Sequence, residues 1–353
     1  MKEKIKQIIQ AAIRAPSGDN TQPWKFEVSD DNKQVDLFNL PERDPSYFNY
    51  EQMASYVAHG ALIENFLIAA KTLGCTVELL LFPSPDNSNH IAQFKLTETE
   101  ADPDPLYPAI FKRQTDRNKF KSTSLTQEQV DNLNNAVSTE LNATLKLITD
   151  KDQKNRLSWL LRNNDRLVFE HKAIHQFLFE QIRWTQEEVD SSQDGMPIGT
   201  LGLNPMERFL FPTFKRWETV KFFNKLMLSR VIGLKGWFNC RTSSALGIIT
   251  IKENNPLGFI NAGRATQRVW LQATVEGLAF QPVTGLFFLF QRAEGNDLDG
   301  FDQKQIELIE QTKAELQQLC GYEREIPVMG FRIGGGGNTE QQPLTKRITP
   351  TTN

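Results

Sequence analysis

The stretch HGALIENFLIAAKTLG, residues 59–74, occurs a second time in this chain in altered form. The second copy reads AGRATQRVWLQATVEG, residues 262–277, and both copies place Gly, Ala and Gly at the same spacing. Each copy has an apolar helical pattern that follows a loop and precedes an apolar stretch. This repetition predicts two copies of one unit fused into a covalent pseudo-dimer, although three matched small residues can also arise by chance in two buried helices.

The pattern around the two copies predicts an α+β fold. A helix at the N-terminus should end before Pro16, because proline disfavours helical geometry in the residue before it. The segments at 4–13 and 129–138 resemble each other, and each leads into a strand. Apolar periodicity predicts the other elements: helices at 54–73, 124–137, about 155–183 and 263–277, strands at 24–28, 143–148 and 328–333, and buried strands at 77–82 and 244–251.

Composition divides the 353 residues into unequal parts. Between Trp184 and Trp237 the helical pattern gives way to Gly, Pro and bulky aromatic residues, which predicts an insertion that folds over something. Its aromatic residues are expected to be mostly core: Phe209, Phe211, Phe214, Trp217, Phe222 and Phe223. The predicted divisions are a first half at 1–100, a Pro-rich connector at 101–111, a second half at 112–335 with a lid-like insertion at about 184–237, and a flexible tail at 336–353.

Bulk charge and cysteine content exclude several classes of protein. A net charge of -3 and a pI near 5.9 give no global basic field, so neither nucleic acid nor a membrane is an expected partner. Three dispersed cysteines without a CxxC disfavour a disulfide scaffold and a zinc site. The N-terminal stripe is helical, unlike a signal peptide, and no apolar run approaches the roughly 18 residues of a membrane span. We expect a cytoplasmic protein.

The loop SGDNTQP, residues 17–23, concentrates polar groups next to Trp24. Ser17 and Thr21 offer hydroxyls, Asn20 and Gln22 offer amides, and the backbone around the glycine offers further donors. Such an array suits the edge of a flat heteroaromatic ring. The alternative is a turn that bonds to itself, with Asp and Asn capping nearby amides, and spacing alone favours that alternative.

The segment RQTDR, residues 113–117, is the second candidate. Arg113 and Arg117 fall at positions i and i+4, which predicts one face of a helix start, with Thr115 between them. Two guanidinium groups, a hydroxyl and free amides suit a phosphate. A solvated charged face that includes Asp116 explains the same residues equally well.

Other chemical motifs are missing or weak. His171 and His175 lack the acidic residue of a zincin, and His59 suits a satisfied polar residue within an apolar helix. The chain contains no GxSxG, P-loop or GxGxxG motif, so hydrolase, P-loop and Rossmann hypotheses have no support. No metal site is expected.

The two copies differ in a complementary way. The polar loop at 17–23 has no equivalent after residue 138, while RQTDR precedes the second copy only. If the two pieces meet across a pseudo-twofold axis, they build one complete site and leave one degenerate site.

Three segments resemble signatures of the nitroreductase superfamily of FMN-dependent flavoproteins. APSGDNTQPWKF (15–26) is similar to APSSxNxQPWxF, KRQTDRNKF (112–120) to the RRSxRxF phosphate-binding segment, and QPVTGLF (281–287) to the turn beside the flavin. With DGMPIGTLG (194–202), the chain looks like the fused, Acg-like subgroup, over residues 3–335. The resemblance implies a nitroreductase-like fold and one composite FMN site in a chain that can act as a monomer, without excluding further oligomerisation.

The resemblance also implies which residues contact FMN, while any catalytic side chain stays unknown because the chemistry is flavin-based. The implied phosphate ligands are Arg113, Thr115 and Arg117, with Arg332 as a further anion contact. Gln22 and Trp24 are expected to brace the loop. The implied contacts to the rest of the flavin come from both halves: Pro16, Ser17, Gly18, Asn20, Pro282, Val283, Thr284 and Gly285.

Two functions follow from the resemblance. In one, NAD(P)H reduces FMN, and the flavin then reduces a small nitroaromatic or quinone-like acceptor by ping-pong turnover. In the other, the chain binds and sequesters FMN beneath the lid at 184–237 with little turnover. A weaker third possibility is flavin-fragmenting chemistry. Gly18 stands where the family has Ser, and Asp19 stands where the subgroup has His, which places negative charge near an electron-accepting ring.

Overall fold

A computed structural model describes residues 1–336 and 345–349. The first half forms one antiparallel sheet with the strand order β1-β2-β4-β3 and a long helix between β2 and β3. Its elements are α1 (Lys2–Ala12), β1 (Trp24–Val28), β2 (Gln34–Asn39), α2 (Met53–Thr72), β3 (Cys75–Leu81) and β4 (His90–Glu98).

The second half repeats this arrangement around a large insertion. Its sheet has the order β5-β8-β10-β9, so each strand occupies the place of its counterpart in the first sheet, and all its neighbours are antiparallel. The shared α+β topology confirms the predicted two-repeat fold. The repeated elements are α4 (Gln127–Asn135), β5 (Ala143–Ile148), β8 (Ala245–Ile251), α11 (Pro256–Val275), β9 (Leu278–Val283) and β10 (Ile326–Gly335).

The remaining elements connect or extend the repeats. A short helix, α3, forms within and just beyond the predicted Pro-rich connector. α12 and α13 lie between β9 and β10, and the others lie between β5 and β8. Their bounds are α3 (Tyr107–Lys112), α5 (Lys151–Val168), α6 (Lys172–Glu180), β6 (Ile182–Arg183), α7 (Gln186–Ser192), β7 (Met196–Pro197), α8 (Pro205–Leu210), α9 (Trp217–Asn224), α10 (Leu228–Arg241), α12 (Gly285–Glu294) and α13 (Gln303–Cys320).

The two repeated helices pack against each other at equivalent glycines. A Cβ atom on Gly60 would lie 2.0 Å from the carbonyl oxygen of Ile260, and one on Gly263 would lie 2.0 Å from that of Val57. In each copy the contacted residue lies three positions before the glycine, so the contact obeys a twofold relation. The glycines of the repeat are therefore the points where the α2 and α11 backbones meet.

Polar side chains reinforce this helix pair. Glu64 is almost fully buried and pairs with Arg264 at 2.9 Å and Arg268 at 2.8 Å, and Gln267 donates to Asn65 at 2.7 Å. The segment Tyr50–Thr72 is long and apolar enough to span a membrane, but 89% of its apolar window is buried inside the protein. It is thus a core helix of the pseudo-dimer.

Several expectations about local structure need correction. β3 is not buried, because it is the edge strand of its sheet and its side chains alternate between exposed and partly buried. α11 begins at Pro256, where Asn255 caps it, seven residues before the predicted start. The insertion aromatics are not mostly core, since Phe209, Phe222 and Phe223 are exposed.

Histidines and cysteines have structural roles. His59 Nε2 lies 3.0 Å from Asn39 Oδ1, His171 caps α6, and His175 bonds to the carbonyl of Phe214. The three cysteines are free and buried, as expected for a chain without disulfides.

Candidate functional site

The loop between α1 and β1 has an uncommon backbone. Asp19, Asn20 and Gln22 have φ values of 45°, 62° and 54°, in the left-handed region that non-glycine residues rarely adopt. A short 3₁₀ turn at Gly18–Asn20 and a bond from the amide of Gln22 to Ser17 Oγ (3.0 Å) shape the loop locally. Backbone strain of this kind persists only where the surroundings enforce it.

Two distant segments enforce the loop conformation. Asn20 Nδ2 donates to the carbonyl of Gly195 at 3.0 Å, and Gln22 Nε2 donates to that of Gln193 at 3.0 Å. From the C-terminal side, the amide of Ile348 donates to Gln22 Oε1 at 2.9 Å. The polar loop is therefore not a turn that bonds only to itself. Gln22 braces it, as predicted.

We call residues 193–202 the lid strip and residues 345–349 the C-terminal strap. The strap has no regular secondary structure and lies within the predicted flexible tail, the rest of which falls outside the described residues apart from Gly336. Its Arg347 donates to the carbonyls of Ile13 (2.8 Å) and Ala15 (3.2 Å) and to Asn20 Oδ1 (2.9 Å). The strap thus fastens the C-terminal end of α1 to the polar loop.

Three guanidinium groups gather where the strap meets the polar loop: those of Arg14, Arg113 and the strap's own Arg347. Arg113 donates to the carbonyl of Arg14 at 3.0 Å and stacks over Trp270, with 4.3 Å between its Cζ and the ring centroid. Removal from water, and then the nearby Arg347 and Arg14, hold the pKa of Arg113 well below its usual range. Burial lowers the pKa of Arg347 to about 9, again with Arg14 nearby. Mutual repulsion of this kind marks an uncompensated positive site.

The Nε atom of Arg113 is one of several buried polar atoms whose hydrogen-bonding capacity is unused in the part of the chain that the structure describes. It is buried and has no hydrogen-bond partner within the described parts of the chain. A buried donor without a partner is costly, so such a group calls for an explanation. A bound anion would supply the partner.

Arg117 lies at the side of the lid strip. It donates to the carbonyl of Thr200 at 3.2 Å and to Met196 Sδ at 3.3 Å, and a Cβ on Gly202 would lie 2.6 Å from its carbonyl oxygen. Asp19 is among the carboxylates whose charges act on it. Residues 196–202 of the predicted insertion therefore contact Arg117.

The expectation that RQTDR starts a helix is wrong. α3 ends at Lys112, and Arg113 has an extended ψ of 129°. The segment instead bonds to the second sheet, because the amide of Asp116 donates to the carbonyl of Phe280 and that of Lys121 donates to Gly335. The site consequently receives side-chain charge from this segment but no helix dipole.

Asp19 supplies a titrating group beside these arginines. Removal from water, and secondarily the charge of Asp44, raise the pKa of Asp19 to about 6 against the lowering effect of Arg117. Burial also raises the pKa of Asp44. Charge at this edge of the site is thus sensitive to pH just below neutrality.

The loop, the arginines, the lid strip and the strap enclose a cavity of about 80 Å³. That is well below the about 300–1,000 Å³ of typical small-molecule sites, so a large ligand would have to displace the lid strip or the strap. A larger cleft of about 320 Å³ between α5, α10 and α13 contains none of the predicted site residues. The cavity is lined by Arg14, Pro16, Ser17, Asp19, Asn20, Arg113, Gln114, Thr115, Arg117, Met196, Thr200, Thr345 and Arg347.

Six of the predicted flavin contacts therefore share one cavity, with Gly18 beside them in the loop. Pro282, Val283, Thr284 and Gly285 do not line it: they lie at the end of β9 and the start of α12. At that place a Cβ on Gly285 would lie 2.7 Å from the ring of Phe48, which belongs to the first half.

Arg332 also lies outside the cavity lining. It is fully buried, donates to Gln281 Oε1 at 2.6 Å and to the carbonyl of Asn118 at 2.7 Å, and stacks over Phe120. These contacts brace the segment that follows RQTDR. Arg332 thus positions that segment in the structure.

Sequence reasoning missed Arg14, the lid strip contacts and Arg347, whereas it did place the charge of Asp19 near the candidate site. The sequence signal for the lid strip was present, because DGMPIGTLG lies within it. No periodicity or motif signals Arg347, which is separated from β10 by more than ten residues.

Comparison with known proteins gives relatives at low identity. Over 294 residues the chain is 27% identical to "Uncharacterized protein MT1398" of Mycobacterium tuberculosis (strain CDC 1551 / Oshkosh), covering 83% of this chain and 40% of that protein. It is 30% identical over 125 residues to "Putative NAD(P)H nitroreductase acg" of strain ATCC 25618 / H37Rv. That match covers 33% of this chain and 35% of the relative. "Putative NAD(P)H nitroreductase Rv3131" of the same strain is 28% identical over 121 residues, a match that covers 33% of this chain and 34% of the relative. The chain spans about a third to two fifths of these relatives.

No family model matches the chain. Among solved structures, an FMN-dependent nitroreductase from Clostridium difficile R20291 is 14% identical, covers 69% of this chain and 95% of that one, and has a TM-score of 0.38. The sequence relatives named as nitroreductases confirm the resemblance that the motifs indicated: this chain is similar to the Acg-type nitroreductases.

Proposed function

We propose that this chain is an FMN-binding, nitroreductase-like flavoprotein with one composite site. The observation that carries the proposal is the convergence of the polar loop of the first half with the arginines that precede the second half. Sequence relatives named as putative NAD(P)H nitroreductases support the reductase class, with NAD(P)H as the electron donor.

The arginine cluster fits the phosphate end of FMN. Arg113, Arg14 and Arg347 gather positive charge, and the buried Arg113 Nε offers a donor that lacks a partner among the described residues. A phosphate dianion would relieve the repulsion and accept these hydrogen bonds. Thr115 lines the same cavity and adds a hydroxyl.

The polar loop fits the polar edge of the ring. Ser17 and Asn20 line the same cavity as Arg117, whose charge is partly balanced by Asp19. When bound, FMN would supply hydride and electron transfer between NAD(P)H and a small nitroaromatic or quinone-like acceptor. The residues of the chain would bind and orient the cofactor and exclude water from it.

A specific observation also favours a second function, FMN sequestration. The lid strip bonds to Asn20, Gln22 and Arg117, and the cavity beneath it is small. A lid held by these bonds would keep nicotinamide away from a bound flavin. In that case FMN would enter and leave slowly, and turnover would be low.

Anaerobic stopped-flow absorbance distinguishes the two functions. The purified protein is reconstituted with FMN and mixed with NADH or NADPH. Bleaching of the oxidised flavin band within seconds would establish the reductase. A stable yellow complex that dithionite reduces, but neither nicotinamide does, would establish sequestration. Failure to bind FMN would contradict both.

A further inference from the structure

The insertion exposes an unusual amount of apolar surface. In the described chain, ten of the fifteen exposed large hydrophobic side chains fall between residues 206 and 238. We call this set the apolar face. Its members are Met206, Phe209, Leu210, Phe222, Phe223, Leu226, Met227, Val231, Leu234 and Phe238.

Several of these side chains are exposed over most of their surface. Phe209 is 81% exposed, Met206 70% and Leu226 67%, so little of the protein packs around them. Single exposed apolar residues are normal, but a concentration of them in one region marks an interaction surface.

α10 shows that the exposure is organised. Met227, Val231, Leu234 and Phe238 are spaced by four, three and four residues, which places them on one side of the helix. The opposite side is fixed to α5, where a Cβ on Gly233 would lie 2.8 Å from the carbonyl oxygen of Arg162. The helix therefore has a packed side and an outward apolar side.

Contacts join the three helices of the apolar face. Lys235 of α10 pairs with Glu207 of α8 at 2.6 Å, and the amide of Ser229 in α10 donates to Asn224 Oδ1 of α9 at 3.1 Å. α9 is connected to α10 by a three-residue turn. The exposed side chains thus belong to one supported region.

Positive charge surrounds the apolar side chains. Residues 205–241 contain eight basic and two acidic residues, a net charge of +6 in a chain whose total is -3. All eight basic side chains are exposed: Arg208, Lys215, Arg216, Lys221, Lys225, Arg230, Lys235 and Arg241. The low global charge conceals this local field.

From this combination we infer that the apolar face docks on an anionic lipid bilayer surface. Exposed Phe, Leu and Met side chains insert into the boundary between headgroups and acyl chains, and the surrounding Lys and Arg side chains bind anionic headgroups. A second copy of the chain is a poor occupant, because two faces of +6 would repel each other. Such peripheral docking needs no membrane-spanning helix.

Vesicle flotation tests the inference. The wild-type chain should float with phosphatidylcholine vesicles that contain phosphatidylserine, bind weakly to phosphatidylcholine alone, and dissociate at high ionic strength. The variant Lys221→Gln/Lys225→Gln/Arg230→Gln keeps the apolar side chains and should lower the affinity for anionic vesicles about 100-fold, from about fivefold for each charge. Lys6→Gln/Lys95→Gln/Lys304→Gln, at exposed positions elsewhere, is the matched control and should bind like wild type.

The apolar contribution is tested separately. Val231→Ser/Leu234→Ser/Phe238→Ser should lower vesicle affinity more than about tenfold. Leu80→Ser/Val275→Ser, at positions that are each 52% exposed, should not. The inference would be overturned if the two serine variants bound vesicles equally, or if the wild type did not bind them. It would also be overturned if the substitutions changed the sedimentation of the vesicle-free protein and left vesicle binding unchanged. The last result would assign the apolar face to self-association.

Discussion

The loop after α1 and the loop after α4 occupy equivalent positions in the two repeats but differ in length, backbone and contacts. Eleven residues separate α1 from β1, whereas seven separate α4 from β5. The first loop has three left-handed non-glycine residues and is held by the lid strip and the strap. The second contains one, Asn142, and places Leu141 in the core. The two repeats share a scaffold, while only the loop after α1 carries the groups of the candidate site.

The contrast extends to the segments that face each loop. RQTDR and the strap converge on the first loop, and Arg268 of α11 reaches the second by donating to the carbonyl of Ala136 at 2.9 Å. That arginine is also paired with Glu64, so its charge is compensated. Of the two loops, only the loop after α1 therefore lies beside arginine charge that is not compensated.

Removing the arginines should have the largest effect on this contrast. We expect Arg113→Ala/Arg117→Ala to weaken FMN binding by more than about 100-fold, because each charge-assisted hydrogen bond contributes about 1.5–3 kcal/mol. Fluorescence titration with FMN and with riboflavin measures it, and the riboflavin affinity should change much less.

Arg156→Ala/Arg324→Ala is the matched control, since both residues are exposed outside the cavity. Equal loss of riboflavin affinity in the cavity variant would contradict the phosphate role of the pair.

Equivalent substitutions in the two repeated helices, unlike changes in the two loops, should lower the stability of the protein by similar amounts. Gly60→Ala and Gly263→Ala each place a Cβ 2.0 Å from a backbone oxygen of the partner helix. Each should lower the free energy of unfolding by about 2–3 kcal/mol, the upper part of the range for overpacking. Urea denaturation measures the effect, and Gly199→Ala, where a Cβ would meet nothing within 4 Å, should be close to neutral. A large loss for only one of the two helices would break the predicted symmetry.

Asp19, in the loop after α1, makes the stability of the protein depend on pH. Its folded-state pKa of about 6 lies above the usual 3.8, so the native chain holds an extra proton between those values. The associated stability is fully present below pH 4 and is lost as pH rises through about 6. Asp19→Asn should therefore flatten the decline of unfolding free energy between pH 4.5 and 7 by about 1–2 kcal/mol. Parallel pH profiles for the variant and wild type in urea denaturation would refute the shifted pKa.

The strap should contribute a smaller increment to binding. Arg347→Ala removes bonds to Ile13, Ala15 and Asn20, and one cation near Arg113. We expect about a five- to tenfold loss of FMN affinity, equivalent to about 1–1.4 kcal/mol. Isothermal titration measures it, with the exposed Thr349→Ala as control. Unchanged affinity would show that the strap covers the loop without supporting the site.

The sequence predicted the elements whose patterns are strongest. β1 and β5 have the predicted bounds, and α2 differs by one residue at each end, because alternation and long apolar periodicity dominate there. The spacing of the arginines in RQTDR wrongly predicts a helix. The backbone of this segment bonds to β9, and spacing alone does not reveal that contact. The gathering of Arg14, Arg113 and Arg347 depends on tertiary packing between segments far apart in sequence, for which a single sequence carries no local signal.

The most direct test of the central claim is the stoichiometry of FMN binding by the full chain in solution. Titration monitored by flavin fluorescence, on protein of known concentration and oligomeric state, should give one FMN per 353-residue chain, with binding lost in Arg113→Ala/Arg117→Ala. Two FMN molecules per chain would mean that the loop after α4 also forms a site. No saturable binding would contradict the composite flavin site altogether.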